Sequence, residues 1–225
     1  MKTIAIICGG DSSEHDVSMR SAAGIESFID KDKYIVYKVE LMSGRWEAIL
    51  PDGNRSKVDR NEFTFLNEKG ETVRPDFCYI TIHGAPGENG VLQGYLDMLR
   101  IPYSCCGVLA AALSFNKYAC NHYLSGFGIR TAKSILLRAG APISSAQSIV
   151  DEVGLPCFIK SNVGGSSFGC SKVKHIDEVV SAIEKAFAEG GEVICEAFLQ
   201  GTEVTCGVYK TQTKSIAFPI TEVVT

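Results

Sequence analysis

No apolar run in the 225 residues approaches the ~18 that a membrane-spanning helix needs, so an ordinary helical span is excluded. Like charges never gather into a block. The 22 basic and 26 acidic side chains leave a formal net charge of -4, which argues against a nucleic-acid partner. The start lacks a signal-peptide core, because the apolar stretch from Ile4 to Cys8 ends at Gly9-Gly10-Asp11. No Cys-x-x-Cys pair occurs among the nine cysteines, and most sit in apolar runs where they can pack as small hydrophobes. An odd count without a secretion signal makes a reducing cytoplasm the expected compartment. Internal repeats and low-complexity segments are missing too. What is present is a 45% hydrophobic composition, enough for one large core or two ordinary ones.

The first half alternates strand-like and helix-like periods, the pattern of a wound α/β sheet. Strands are expected at residues 2–8, 34–41 and 77–82, with a helix at 18–29. Val91, Leu92, Tyr95, Leu96 and Leu99 recur at helical spacing, so one face of that segment should pack on the sheet. Residues 116–124 read as a helix stopped by Gly126 and Gly128, and a domain boundary is placed near Phe115. Beyond it come a short helix at Ile149 and Val150 and a strand at 157–160. A return strand follows at 170–174. Ile176, Val179, Val180, Ile183 and Phe187 repeat at three and four residues and end at Gly190-Gly191. Strands at 193–198, 203–209 and 215–220 complete the reading: domains 1–115 and 116–225, both mixed α/β, with a cleft between them.

Three loops carry candidate chemistry. The stretch KSNVGGSSFG, from Lys160 to Gly169, lies between two strands and reads as a hairpin lid whose backbone N–H groups and hydroxyls can meet phosphate oxygens. It is not a Walker A loop, which requires Gly-Lys-Ser/Thr leading into a helix. An ordinary Gly/Ser hairpin is the bland alternative, and Lys160, a charge at the end of an apolar strand, favours the phosphate. Glu196 and Glu203 flank a turn where a base edge can pair with strand backbone and a carboxylate with ribose hydroxyls; two solvated surface groups would have the same spacing. Gly9 to Ser18 and His83 to Gly90 both leave strands and enter helices, the crest where open α/β sheets bind ligands. The first does not match Gly-x-Gly-x-x-Gly, which disfavours a dinucleotide. Glu14 there is either a helix-dipole partner or an anchor for a substrate ammonium. His83 is either structural or part of the same polar site.

Four stretches together, GGDSSEHDVSMRSA, HGAPGENGVLQGYLDMLRIPYSCCGVLAAALSFNK, FIKSNVGGSSFGCSKV and EAFLQGTEVT, resemble the D-alanine–D-alanine ligases of the ATP-grasp superfamily. The resemblance implies a pre-ATP-grasp domain with a wound parallel sheet, followed by an ATP-grasp α+β region that is incomplete at its C-terminus. It implies ATP-dependent joining of two D-alanines through an acyl phosphate, for cell-wall precursor synthesis. Glu14 resembles the ligand of the first D-alanine's amino group, with His83 and Glu88 lining the same region. Lys117 and Lys160 resemble the two phosphate lysines. Ser166 and Ser167 match the closing loop, Ser166 also joining it to Glu14. Glu196, Ala197 and Leu199 match the adenine-binding crossover, and Glu203 the ribose carboxylate. Asn89 stands where the family usually has Asp, and Ser161 where it usually has Pro; neither is assigned to chemistry, so both should be tolerated. The magnesium ligands, a mobile-loop tyrosine and an arginine are expected beyond Thr225, so the 225 residues alone are expected to bind nucleotide weakly and form no dipeptide. A homodimer is one possible assembly. The alternatives are a non-catalytic nucleotide-binding module and an ATP-grasp ligase for another acid and amine.

Overall fold

The computed structural model describes residues 1–143, 145–165 and 169–224. Its first half runs β1 (Lys2–Gly9), α1 (His15–Phe28), β2 (Tyr34–Met42), β3 (Arg45–Ile49), β4 (Arg55–Lys57), β5 (Phe65–Leu66), β6 (Thr72–Val73), β7 (Phe77–Ile80), α2 (Val91–Met98) and α3 (Val108–Phe115). The main sheet has the order β4-β3-β2-β1-β7. β1 pairs in parallel with β2 and β7, while β3 and β4 extend the sheet antiparallel. The expected parallel sheet is therefore confined to β2, β1 and β7. Ala5, Ile6, Ile7 and Cys8 are fully buried, which is why β1 reads as an unbroken apolar run: both faces are covered. Ile6 and Cys8 pack with Ala22 of α1, whereas Ala5 and Ile7 join a larger cluster with Val39, Leu41, Leu92, Leu96 and Ile101. Each of the buried isoleucines, leucines and valines among them contributes about 1.5–3 kcal/mol on burial.

Helix α2 buries Leu92 and Leu96, but Val91 is 62% exposed, against the expectation that it shares their face. It is the first residue of the helix, one position off that face. The chain enters α2 through Gly90 at φ +87°, where an added Cβ would come within 2.9 Å of the Val108 carbonyl oxygen, so a side chain there would displace α3.

His15 fastens the start of α1 to the sheet. Its Nε2 lies 2.9 Å from Glu40 Oε1 on β2, and its Nδ1 3.2 Å from Asp16 Oδ1. Glu40 is buried and also holds Arg55 of β4. Hydrogen bonds to Asp16 and then Glu40 raise the His15 pKa above 6.5. Burial alone would raise the Glu40 carboxyl, but its bonds from Arg55 and His15 hold it below its ordinary 4.5. A raised histidine stabilises fully below its unfolded pKa and loses that contribution as pH rises through the folded one. A depressed carboxyl does so above its unfolded pKa and loses it as pH falls through the folded one. The clamp is therefore complete between about pH 4.5 and 6.5 and weakens on both sides. Thermal melts should show His15→Gln flattening the alkaline limb of stability against pH; an unchanged limb would show that this histidine does not carry it.

The second half contains α4 (Lys117–Ser125), β8 (Ser134–Arg138), α5 (Ala146–Val153), β9 (Cys157–Ser161), β10 (Ser171–Val173), α6 (Val179–Phe187), β11 (Glu192–Ala197), β12 (Val204–Thr205), β13 (Val208–Lys210), β14 (Ser215–Ala217) and β15 (Thr221–Glu222). Asn116 ends α3 and caps α4, its side chain accepting from Ala119 N–H at 2.9 Å. The order β10-β9-β11-β8 forms an antiparallel sheet, with α5 and α6 packed on it through Ile149, Val153, Val179, Ile183 and Ala186. The expected helix at 176–187 begins only at Val179. Residues Ile176–Glu178 form a 3-10 turn, and the Glu178 carboxylate accepts from Lys174 N–H and His175 N–H. Val180 is 57% exposed, off the buried stripe. The strand expected at 203–209 is two pieces, β12 and β13. They are interrupted at Cys206 and Gly207, and pair with β15 and β14.

Candidate active site

At the end of β1, Gly9 N–H donates to the buried Ser18 Oγ at 3.0 Å and Gly10 N–H to Leu41 O at 2.7 Å. Gly9 has φ +89°, and a Cβ on it would lie 2.7 Å from Leu41 O, so the tight exit requires glycine. Ser12 then joins two loops, its hydroxyl donating to His83 O at 2.8 Å and accepting from Glu14 N–H at 3.2 Å. Glu14 occupies the cap position of α1, yet its side chain makes no capping bond. It points elsewhere: a Cβ built on Gly165 would sit 3.3 Å from Glu14 Oε2. The carboxylate thus reaches the glycine-rich loop of the second half. Together they line a cleft of about 270 Å³ that includes Ser12, Gly84, Val163, Gly164 and Gly165.

The neighbouring cleft, about 230 Å³, shares Gly164 and Gly165 and is lined by Glu88, Ser114 and Lys117. Glu88 Oε2 accepts from Gly84 N–H at 2.7 Å, closing its own loop, so its carboxylate has a structural task. His83 is half-buried, and its backbone carbonyl, not its ring, makes the loop-to-loop bond. Lys117 Nζ donates to Gly164 O at 2.9 Å. Burial, and then repulsion from Lys160, lowers the Lys117 pKa against the pull of Glu196. Lys160 on β9 pairs with Glu196 on β11 at 2.5 Å, and Asn121 Nδ2 donates to the other Glu196 oxygen at 2.7 Å. Two ammonium groups, one from a helix start and one from a strand, therefore converge beside the loop. Ser166 and Ser167 lie outside the described residues.

At the end of β11, Ala197 N–H donates to Lys133 O at 2.9 Å. Its amide is therefore part of the edge pairing and not open to a base. Leu199 and Glu203 are exposed on the segment that follows. The Glu196 carboxylate is not a solvated surface group: the residue is 9% exposed and committed to Lys160 and Asn121. Sequence reasoning missed Asn121 and Asn162. Asn121 had a usable signal, because it stands four residues after Lys117 on the same helix face.

Among the described residues no group of three or more His, Cys, Asp or Glu is placed to hold a metal ion. Burial pushes the thiols of Cys8, Cys78 and Cys195 up to about 12, which leaves them protonated and inert. No helix of the described residues is long and apolar enough to cross a membrane.

Two family models match in tandem: "D-ala D-ala ligase N-terminus" over residues 3–106 and "D-ala D-ala ligase C-terminus" over residues 124–225. The chain is 58% identical over 223 residues to a D-alanine--D-alanine ligase of Phocaeicola vulgatus, covering 99% of this chain and 68% of that one. Its fold is similar to that of a D-alanyl-alanine synthetase A from Vibrio cholerae, with TM-score 0.86 at 32% identity, over 99% of this chain and 67% of the other. It is also similar to a Bacillus anthracis D-alanine--D-alanine ligase complexed with ATP, with TM-score 0.74 at 26% identity, over 99% and 67%.

Proposed function

The chain belongs to the D-alanine–D-alanine ligase family, and on that premise we propose that Lys117, Lys160 and Glu14 serve one reaction in the shared clefts. The family performs ATP-dependent ligation of D-alanine. In this reading the Glu14 carboxylate holds the ammonium of the first D-alanine, and Lys117 and Lys160 hold the nucleotide phosphates. The D-alanine carboxylate oxygen attacks the γ-phosphorus and ADP leaves. The amine of the second D-alanine then attacks the acyl carbon, and phosphate leaves as the peptide bond forms.

Charge crowds around the transferring phosphoryl group, and fixed cations lower that barrier without having to reorganise. Lys117 and Lys160 are such cations. Their present partners are protein oxygens, the Gly164 and Asn162 carbonyls for Lys117 and the Glu196 carboxylate for Lys160, which phosphate oxygens can replace. Glu196, Ala197 and Leu199 would flank the base, and Glu203 the ribose. Since the Ala197 amide is already bonded, the base would read another group of that segment. Ser166 and Ser167 would close over the phosphates, His83 and Glu88 would border the amino acid, and a reducing cytoplasm is the proposed compartment. Division at 115 and 116 would put the nucleotide residues on one side and Glu14 on the other.

The observation that carries this reading is the approach of Glu14 Oε2 to Gly165 across the cleft, which would bring an ammonium bound at Glu14 close to phosphates bound at the loop. The test uses the 225 residues alone and the same residues joined to the part of the Phocaeicola vulgatus relative that this chain does not cover. With ATP, magnesium and D-alanine, both should bind nucleotide and only the joined chain should release phosphate and D-alanyl-D-alanine. A folded, ATP-binding joined chain that forms no dipeptide would contradict the reading.

A further inference from the structure

We infer that Asn162 is a positioning residue for nucleotide phosphates, acting through Lys117; this rests on the phosphate role proposed for that lysine. Asn162 is fully buried where the glycine-rich loop leaves β9. Its Oδ1 accepts from Tyr118 N–H at 2.8 Å and its backbone carbonyl from Lys117 N–H at 3.0 Å. Both are first-turn amides of α4 that no helix carbonyl can reach. The third such amide, Ala119 N–H, goes to Asn116 Oδ1 at 2.9 Å. Two asparagines thus fill the helix start. Its backbone is closed to an anion, so only the Lys117 side chain is left to make phosphate contact from this end.

The other end of Asn162 is equally fixed. Its Nδ2 donates to Glu192 Oε2 at 2.8 Å and its backbone N–H to Glu192 O at 2.9 Å, while the other Glu192 oxygen accepts from Arg138 Nε at 2.9 Å. A continuous chain of bonds therefore runs from β8 through β11 and the exit of β9 to the first turn of α4. It sets where Lys117 starts relative to Lys160, which lies on β9 two residues before Asn162. Serine or alanine at this position could not bridge Glu192 and Tyr118 together, since the span needs an amide with a donor and an acceptor on opposite sides.

The test measures ATP and adenosine affinities of the 225-residue chain by titration, for wild type, Lys117→Ala, Asn162→Ala and the double variant Asn162→Asp with Glu192→Gln. The double variant reverses donor and acceptor between those two positions, and keeps an acceptor for Tyr118 N–H. Asn162→Ala should lose about tenfold in ATP affinity with adenosine affinity unchanged, and the double variant should recover most of the loss. A general loosening of the fold would weaken both ligands equally and would overturn the inference, as would unchanged ATP affinity in a folded Asn162→Ala. If Lys117→Ala itself leaves ATP affinity intact, the phosphate reading fails and the inference falls with it. If Lys117→Ala weakens ATP and Asn162→Ala does not, only the inference falls.

Discussion

Replacing Lys160 by alanine is expected to weaken ATP binding by about 1–3 kcal/mol, roughly fivefold to 150-fold, the range of a charge-assisted hydrogen bond. The same change should lower stability, because Glu196 is left 9% exposed with Asn121 as its remaining side-chain partner. Removing one member of a fully buried pair costs about 3–5 kcal/mol. Here the Lys160 side chain is 28% exposed and that of Glu196 11%, so water takes up part of the loss and the cost should fall below that range. The two effects separate in a double variant, Lys160→Met with Glu196→Gln. With both charges gone, stability should return while ATP affinity stays low. Calorimetric titration and a denaturant melt read the two quantities. ATP affinity equal to wild type in folded Lys160→Ala would remove this lysine from the site.

Glu14→Gln should act on the other substrate. The change keeps size and deletes the charge that would pair with an ammonium, so affinity for D-alanine should fall about tenfold to a hundredfold and ATP affinity should hold. The helix start is not at stake, since the Glu14 side chain does not cap α1. Steady-state rates of the joined chain give the KM for D-alanine, and unchanged KM and kcat would exclude the anchor role.

The parts of this molecule that could be read in the sequence are those where one physical demand dominates. β1 is covered on both faces and shows as an apolar run, and α6 shows its three-and-four repeat because one stripe faces β9 and β11. Helix α3 went unread because VLAAALSF has no polar face to set a period; only Ala111 is buried. β3 and β4 were missed for the opposite reason: they are short and charge-bearing, and the pairing of β3 with β2 and of β4 with β3 comes from register and not from alternation. In the site, the loops that hold Glu14, Lys117 and Lys160 were legible from glycine placement and the resemblance. The side chains that hold those residues were not. Asn162 and Asn121 act between elements 30 to 75 positions apart in sequence, and nothing local in their neighbourhoods marks such partners. The same holds for the Lys160 and Glu196 pair. Each residue was singled out, yet their contact follows from the antiparallel register of β9 and β11.

The most direct measurement of the central claim, that Lys117 and Lys160 jointly face the phosphates of ATP, is lysine protection. The chain is treated with an amine-reactive reagent with and without saturating ATP, and each lysine is scored by mass spectrometry. Lys117 and Lys160 should be protected by ATP but not by adenosine, while Lys33, whose side chain is 72% exposed and pairs with Asp30, should label equally in all cases. Equal labelling of Lys117 and Lys160 with and without ATP, under conditions where ATP is bound, would contradict it.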